Sequence, residues 1–307
     1  MSTEAIKVSV GFPVYNGGDN VCEVLDELLN QTHQNIELII SDNCSTDSTE
    51  SVCREYAAQD DRVRYIRQEK NLGAEGNFAF VLGQVSSDYY LWAAADDRRS
   101  PDFIELNLRF LANNPDYAAS TCPIRYEDGE FDTVAMGDGE LDMDAEGRLL
   151  NVLKFWHTNG RFYSMYRMSA LKSRFEAERY LGSDFSTTFA VLMAGKYHRT
   201  TDGWLILGSA GTSKQPEAFF ASYSNGSRLL HYLPFYKLSQ FVLRLSRGLS
   251  FGSRWQVLLR LWEWNKAAYA AQNPRAKDRP GMKAEQAKNH RRARRARIKS
   301  WLKPFKR

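Results

Sequence analysis

The stretch IKVSVGFPVYNGGDN, residues 6–20, joins an alternating, β-branched segment to a polar loop that contains glycine. The alternation over residues 6–12 predicts a short strand, and Pro13 predicts its end. After the loop, apolar residues recur at helical spacing between positions 21 and 29, which predicts a helix ending near Gln31. The stretch therefore predicts a strand, a loop and a helix in immediate succession.

The same alternation continues through the first third of the chain. Further strands are predicted at 36–41, 63–68 and 88–95. One further helix is predicted from the polar loop DNCSTDST to about residue 58, and another at 77–85, after the glycine-containing turn NLGAEGN. Alternating strands and helices with short connections predict an α/β fold, in which helices cover both faces of a parallel sheet.

Polar side chains follow three of these strands. Tyr15 and Asn16 follow the first strand, Asp42 and Asn43 the second, and the pair Asp96–Asp97 the fourth. In open α/β sheets, ligands bind outside the carboxyl ends of the strands. We therefore expect the three loops to meet at one cleft.

The second part of the chain is less regular. A helix is predicted within 101–116, an acidic loop or short hairpin over the cleft at 123–148, and a helix opened by Ser183 or Asp184 and closed by Gly195. Two amphipathic helices, broken around RGLSFGS, are predicted between 229 and 264. The expected divisions are a main domain at 1–225, with halves 1–115 and 116–225, a helical region at 226–265 and a basic tail at 266–307.

Composition limits the class of protein. The chain has 307 residues, 43% of them apolar and 13% aromatic, which suits one main domain with an appendage. Its four cysteines form no CxxC pair, so we expect neither a zinc ribbon nor a disulfide framework. This cysteine usage indicates a reducing compartment. We find no signal-peptide pattern and no apolar run of spanning length, and therefore expect a cytoplasmic protein.

The charge is divided unevenly along the chain. Residues 266–307 carry 15 Lys and Arg against 2 Asp and Glu, whereas residues 1–265 carry 26 against 35. Three interpretations of the basic end are open: a solvated tail, nucleic-acid binding, or attachment to an anionic membrane. Trp301 and Phe305 near its end favour the membrane, and nucleic acid is not the expected partner. The predicted location is therefore peripheral, at the inner face of the cell membrane.

The pair Asp96–Asp97 has three interpretations of its own: a divalent-metal site, an acid/base pair, or a solvated turn with a helix cap. Neighbouring residues on an extended chain point in opposite directions, which suits cation binding better than twin-carboxylate catalysis. Mg²⁺ and Mn²⁺ need few protein ligands where substrate phosphates supply the rest.

Several motifs occur together and in order. They are a strand ending in P-x-Y-N, a Q-T at the end of the first helix, a strand ending in Asp before CSTDST, an N-x-G turn, and a strand ending in an acidic pair followed by proline. Over about residues 6–115 the chain resembles the family 2 glycosyltransferases. The resemblance implies the GT-A fold, a mostly parallel mixed sheet flanked by helices, here with a C-terminal helical extension.

The resemblance also implies roles for particular residues. Asp96 and Asp97 would bind the Mn²⁺ or Mg²⁺ ion that bridges the donor diphosphate. The sequence has Ala94 where the family often has a further acid, which leaves fewer carboxylates for sugar and metal. The residues implied in binding the nucleoside-diphosphate-sugar are Pro13, Val14, Tyr15, Asn16, Asp42, Asn71, Gly73 and Asp96.

Asp184 in LGSDFSTTFAVLMAGKY matches the family's general base, an acid at the start of a helix in the second half of the domain. The alternative is a plain cap or first-turn carboxylate. A helix N-terminus lowers the pKa of such a carboxylate and so weakens it as a base. The implied reaction is inverting transfer of a sugar to a hydroxyl of a glycan, expected to be lipid-linked, in the synthesis of a surface, capsular or exopolysaccharide.

Other candidates are less specific. His157, His198 and His231 could be metal ligands or phosphate contacts, but lone histidines are more often ordinary core or surface residues. The loop at 207–213 resembles one that closes over a donor. Arg98 and Arg99 are better explained as an exposed loop than as phosphate-binding residues. Trp92 and Trp204 suit the core or an acceptor groove. A sugar nucleotidyltransferase is the rival enzyme, but the loop after the first strand lacks its arginine and lysine. A nucleic-acid or membrane adaptor is the rival without catalysis.

Overall fold

The structure is a computed structural model that describes residues 3–18, 20–127, 137–155, 159–175, 177–208, 222–224 and 226–273. Its first part has the predicted alternation. The elements are β1 (Val8–Val14), α1 (Asn20–Leu29), β2 (Ile36–Asp42), α2 (Thr49–Gln59), β3 (Val63–Arg67), α3 (Gly73–Gly83), β4 (Tyr89–Trp92), β5 (Arg98–Arg99) and α4 (Phe103–Asn113). The second part contains β6 (Tyr117–Thr121), β7 (Ile124–Tyr126), α5 (Ala145–Val152), β8 (Met165–Arg167), α6 (Met168–Leu171), α7 (Ser183–Ala194), β9 (Lys196–Arg199), β10 (Leu205–Leu207), α8 (Arg228–Tyr232), α9 (Tyr236–Leu245) and α10 (Phe251–Gln272).

The central sheet has the strand order β3-β2-β1-β4-β8-β6-β9. The first four of these strands are parallel, β8 is antiparallel to both neighbours, and β9 is parallel to β6. A second, three-stranded sheet has the order β5-β10-β7. The mostly parallel mixed sheet flanked by helices confirms the predicted fold class.

Three predicted details were wrong. β1 continues through Pro13 to Val14, because the pairing of β1 with β4 ends at Gly11 and the missing N–H of the proline lies on that unpaired side. Helix α3 begins at Gly73 rather than 77, since the side chain of Asn71 accepts the Gly73 N–H at 2.8 Å and starts the helix early. Within 123–148 we expected a loop or hairpin, but β7 pairs in parallel with the distant β10; residues 128–136 lie outside the described part.

Two apolar cores lie on opposite faces of the central sheet. Successive residues of β4 alternate between them: Tyr89 and Leu91 face the core beneath α1 and α4, and Tyr90 and Trp92 face the core beneath α7. This period of two is what a strand buried on both faces requires. The sheet is thereby fixed from both sides, and its carboxyl-end loops are held on a rigid support.

The C-terminal helices belong to the second core. Trp264 of α10 is 2% exposed, and its indole N–H donates to the Leu153 carbonyl at 3.1 Å. Asn265 accepts the Phe235 N–H at 2.9 Å and so joins α10 to the start of α9. Helix α10 runs to Gln272, past the division predicted at residue 265, because its inner face stays buried as far as Ala270. Within the described ranges, no helix has both the length and the apolarity needed to cross a bilayer.

Gly11 provides a test of the packing across the sheet. A Cβ at this position would lie 2.1 Å from the Tyr90 hydroxyl, so we expect Gly11→Ala to lower the free energy of unfolding by about 1–3 kcal/mol in chemical denaturation. Gly83→Ala is the matched control, since nothing lies within 4 Å of the added atom there.

Tyr90→Phe makes this prediction sharper. The buried Tyr90 hydroxyl has no hydrogen-bond partner within the described ranges, so its removal should cost little stability and should recover part of the Gly11→Ala loss. Equal losses with and without the hydroxyl would show that the close contact is not the cause.

Candidate active site

The loops that follow β1 and β2 are joined by direct hydrogen bonds. The Asn43 N–H donates to the Val14 carbonyl at 2.8 Å, and the Asn16 N–H donates to the Ser45 hydroxyl at 2.9 Å. Asn16 has a φ of 49°, a left-handed conformation that asparagine tolerates. In return its side chain accepts the Thr46 N–H at 2.8 Å. The two predicted loops therefore form one connected surface, on which Tyr15 is 49% exposed.

Asn43 joins this surface to the turn before α3. Its amide group donates to the Asn71 side chain and to the Gly73 carbonyl, each at 3.1 Å, and accepts the Leu72 N–H at 2.7 Å. The side chain is 3% exposed, so these bonds are shielded from water. The structure thus brings Asn71 and Gly73, which the family resemblance implied in donor binding, next to the loops after β1 and β2.

Asp42 is completely enclosed. One carboxylate oxygen accepts the Ser45 N–H at 2.8 Å, and the other accepts the Tyr65 hydroxyl at 2.8 Å and the Arg67 guanidinium at 2.6 Å. Burial and the bond to Asp42 raise the pKa of Tyr65. The Arg67 guanidinium also contacts Glu50 at 3.0 Å. The Asp42 carboxylate therefore orders the pocket floor, with the Arg67 and Tyr65 side chains arranged around it.

Asp97 is the buried member of the acidic pair, and Asp96 is half-buried. One oxygen of Asp97 accepts the Gly208 N–H at 3.2 Å, whereas the other has no hydrogen-bond partner in the described part of the chain. Burial raises the pKa of Asp97 to about 7, with Arg99 lowering and Asp96 raising it. Position 208 requires glycine, because a Cβ there would lie 2.1 Å from the Asp96 carbonyl oxygen. The end of β10 therefore lies directly on the acidic pair.

The two arginines after the pair differ from the exposed loop that we expected. They form β5, which pairs with β10, and Arg99 is 2% exposed. Its guanidinium donates to the Trp92 carbonyl at 2.8 Å, close to Asp97. Arg98 contacts Glu23 at 2.9 Å, and also Glu27. The prediction of an exposed loop was wrong for the buried Arg99, whereas the Arg98 side chain is 43% exposed. The pairing partner, β10, lies about a hundred residues away in sequence and gave no local signal.

Asp184 lies in the first turn of α7, after Gly182, which has a φ of 85°. Burial raises the pKa of Asp184 to about 6, although a hydrogen bond from Asn159 and backbone N–H groups lower it. We expected the helix N-terminus to lower this pKa. The opposite direction results because desolvation outweighs the hydrogen bonds. A carboxyl group with a pKa near 6 is ionised at neutral pH and remains a competent base.

Tyr163 links Asp184 to the acidic pair and was missed from sequence. It ends a single 3₁₀ turn, Gly160–Tyr163. Burial raises its pKa well above the ordinary value, and the negative charges of Asp97, Asp96 and Asp184 raise it further. Tyr163 therefore lies within electrostatic range of all three acids. The sequence near Tyr163, GRFYSMYR, has no motif that could have indicated this position.

Glu75 and Tyr223 were also missed. Glu75 lies in the first turn of α3 and raises the pKa of both Asp184 and Tyr223. The Arg179 guanidinium lies over the Tyr223 ring, 5.1 Å from its centroid. These side chains therefore lie within electrostatic range of one another near the start of α7. Only the folded chain brings Glu75 to the others, because it lies more than a hundred positions before Arg179 and Tyr223 in sequence.

Among the described residues, the predicted candidates His198, His231, Trp92 and Trp204 do not join this cluster. His198 contacts Glu140 at 2.8 Å and stacks on Phe110, and His231 packs against Tyr269. His157 lies outside the described residues, as do positions 209–213 of the predicted donor loop. Trp92 is a core residue stacked on Phe162 with ring centroids 4.6 Å apart. Trp204 is half-buried and lies directly before β10.

The acidic pair fits a divalent cation in one respect. Among the described residues no group of three or more His, Cys, Asp or Glu side chains could hold a metal ion. However, Asp97 has a buried oxygen without a partner and lies next to Asp96, which is the arrangement expected where donor phosphates complete the coordination. The two carboxylates therefore suit a metal that arrives with a diphosphate.

The fold and the site together define an α/β protein whose candidate site lies at the carboxyl edge of its parallel strands. A family model described as glycosyl transferase family 2 matches residues 9–175. The match covers more than half of the chain, and the protein belongs to this family.

Curated relatives match the first part of the chain. Glycosyltransferase GlyG of Streptococcus pneumoniae serotype 4 is 35% identical over 98 residues, 32% of this chain and 33% of GlyG. TuaG of Bacillus subtilis, a glycosyltransferase named for teichuronic acid biosynthesis, is 33% identical over 104 residues, 34% of this chain and 41% of TuaG. The matched stretches thus span less than half of these relatives.

Solved structures share the fold over most of the chain. S. aureus TarS 1–349 in complex with UDP has a TM-score of 0.57 and 16% identity over 89% of this chain and 92% of that one. The mannosyltransferase PcManGT of Pyrobaculum calidifontis, in complex with GDP-Man and Mn²⁺, has a TM-score of 0.59 and 16% identity over 98% of this chain and 84% of that one. This structural similarity supports the GT-A fold.

Proposed function

We propose that the protein is an inverting glycosyltransferase that moves a sugar from a nucleoside-diphosphate carrier to a hydroxyl of a glycan. The observation that carries the proposal is that Asp96, Asp97 and Asp184 all lie within electrostatic range of one side chain, Tyr163. A donor diphosphate beside the pair and an acceptor hydroxyl beside Asp184 would approach the same sugar carbon. The structures with UDP and with GDP-Man and Mn²⁺ support a nucleotide-sugar as the donor class.

The joined loops after β1, β2 and β3 would bind the donor. Their inner surface would hold the nucleotide, with the exposed Tyr15 ring as a stacking face and the Asp42–Arg67 pair beneath it. The residues assigned to this pocket are Pro13, Val14, Tyr15, Asn16, Asp42, Asn71, Gly73 and Asp96. Asp96 and Asp97 would hold Mn²⁺ or Mg²⁺, which when bound neutralises charge on the leaving diphosphate.

Asp184 would act as the general base. With a pKa of about 6 its carboxylate is ionised at neutral pH and can take the proton of an acceptor hydroxyl as the oxygen attacks the sugar carbon. Attack from the Asp184 side, opposite the diphosphate, inverts the configuration at that carbon. Glu75 raises the pKa of Asp184 and so strengthens it as a base.

The acceptor class is proposed from the relatives and from the tail. TuaG is named for teichuronic acid biosynthesis, which supports a glycan of surface, capsular or exopolysaccharide type. We propose a lipid-linked form of this acceptor and a peripheral, cytoplasmic location at the inner face of the membrane. The predicted attachment through residues 274–307 lies outside the described residues.

The test is a donor panel. The protein is incubated with UDP- and GDP-sugars, with and without Mn²⁺, and release of nucleoside diphosphate is followed. We expect release from one nucleotide class, increased by an added glycan acceptor and decreased by EDTA. A protein that releases no diphosphate from any donor and shows no thermal shift with UDP or GDP would contradict the proposal.

A further inference from the structure

Helix α10 has two apolar faces, of which the inner face is buried in the core. The outer face remains exposed: Phe251 is 85% exposed, Trp255 56% and Trp262 57%, and Leu258 and Leu259 are exposed between them. We call these five residues the outer stripe. Isolated exposed apolar residues are common on proteins, whereas contiguous ones mark a surface that meets another phase or partner.

The outer stripe is continuous. At 3.6 residues per turn its side chains fall within an arc of about 100°, and they extend about 17 Å along the helix axis. The same arc reaches Tyr269 near the end of α10. Its ring stacks on that of Tyr232 from α8, with centroids 5.7 Å apart, and Tyr232 is 60% exposed. The exposed apolar surface therefore continues from the stripe onto α8.

This concentration is specific to the two helices. The described residues include nine exposed large apolar side chains, of which five form the outer stripe and two, Leu229 and Tyr232, lie on α8. The other two are Tyr15 and Leu72, in the donor loops. An even scatter would have placed far fewer on one face of one helix, so the stripe requires its own explanation.

The charges next to the stripe are basic. Arg247, Arg254 and Lys266 are exposed before, beside and beyond it. The exposed acid of α10, Glu263, contacts Arg260 at 2.7 Å. Beyond Asn273 the chain continues for 34 residues with 14 Lys and Arg against 2 Asp and Glu. An aromatic and leucine face with a basic border has the composition of a helix that lies in the interface of an anionic bilayer.

We propose that the outer stripe of α10 inserts into the headgroup region of an anionic membrane, with its basic neighbours on the lipid phosphates. Trp and Tyr favour this depth because their rings combine an apolar body with a polar N–H or O–H. Arginine and lysine extend along the apolar surface and place their charges at the headgroups. This proposal deepens the membrane location proposed above and rests on it, but it does not depend on the proposed transfer chemistry, since it concerns a face remote in sequence from all the acids of the site.

The experiment uses the full chain and vesicles. Binding is measured by co-sedimentation with vesicles of phosphatidylcholine alone and of phosphatidylcholine with 30% phosphatidylglycerol. We expect binding to the anionic vesicles, and a loss of affinity of about tenfold or more when Trp255→Ser and Trp262→Ser are combined, because two large apolar side chains leave the interface.

Gln256→Ser is the matched control, because it introduces the same residue into the same helix away from the stripe. It should bind as the unaltered chain does. Melting curves of all variants show whether the fold is retained.

Two results would overturn the proposal. If the double variant binds anionic vesicles as tightly as the unaltered chain, the basic end of the chain suffices and the stripe does not insert. If the unaltered chain is a dimer by light scattering, binds no vesicles, and becomes a monomer in the double variant, the stripe contacts a second copy.

Discussion

Asp184→Asn is expected to lower kcat by about 10²–10⁴-fold, because it removes the general base and leaves an amide of the same shape. The donor KM should change little, since Asp184 lies in the first turn of α7, outside the loops proposed to bind the donor. Asp144→Asn is the control, since Asp144 is also a carboxylate at a helix start, where it accepts the Gly147 N–H at 2.7 Å. Steady-state kinetics with the identified donor and acceptor measure both. Unchanged kcat in the Asp184 variant would sink the assignment of the base.

The pH dependence of the same group has a definite sign. Burial raises the pKa of Asp184 to about 6, so kcat/KM should fall as the pH falls through 6 and the base becomes protonated. The folded state binds this proton more tightly than the unfolded state, in which the carboxyl has its ordinary pKa of 3.8. The contribution of Asp184 to the free energy of unfolding therefore decreases as the pH rises from about 4 to 6. Asp184→Asn should accordingly raise the Tm at pH 7, and this gain should vanish near pH 4.

Asp97→Asn is expected to lower metal-supported transfer by about a hundredfold or more, since a bound cation contributes several kcal/mol to charge stabilisation. The substitution keeps an oxygen for the Gly208 N–H and removes the charge that a metal would need. Calorimetric titration with Mn²⁺ in the presence of the nucleoside diphosphate should show weaker binding.

Asp138→Asn is the control for a buried aspartate elsewhere. Asp138 is 5% exposed and contacts Arg199 at 3.2 Å, so its substitution should lower stability and leave Mn²⁺ binding unchanged. Full Mn²⁺ affinity and full transfer rate in Asp97→Asn would show that the pair does not hold the metal.

The first part of the fold could be predicted because its signals are local. Apolar alternation and the residues of the turns identify β1 to β4, and the rule on carboxyl ends of strands predicts that the loops with Asn16 and Asn43 meet. The bonds from the Asn43 N–H to Val14 and from the Asn16 N–H to Ser45 confirm that these two loops converge. The predicted roles of the residues in donor binding and catalysis remain predictions.

The rest depends on contacts that are distant in sequence. Burial of Arg99 requires β10, and the position of Tyr163 among the acids requires the antiparallel return through β8. The pKa of Asp184 illustrates a balance that sequence cannot weigh. The position of Asp184 at a helix N-terminus can be predicted from the sequence, and it lowers the pKa. Desolvation raises the pKa by more, and its size depends on the surrounding fold.

The hydrogen bonds of Asn43 have a consequence for the thermodynamics of donor binding. They fix the loops after β1, β2 and β3 against one another when the chain folds, and the bonds are shielded from water. The conformational entropy of these loops is therefore lost during folding rather than during association. A nucleotide bound here, as proposed, would meet loops that are already ordered, and its affinity would not be reduced by the cost of ordering them.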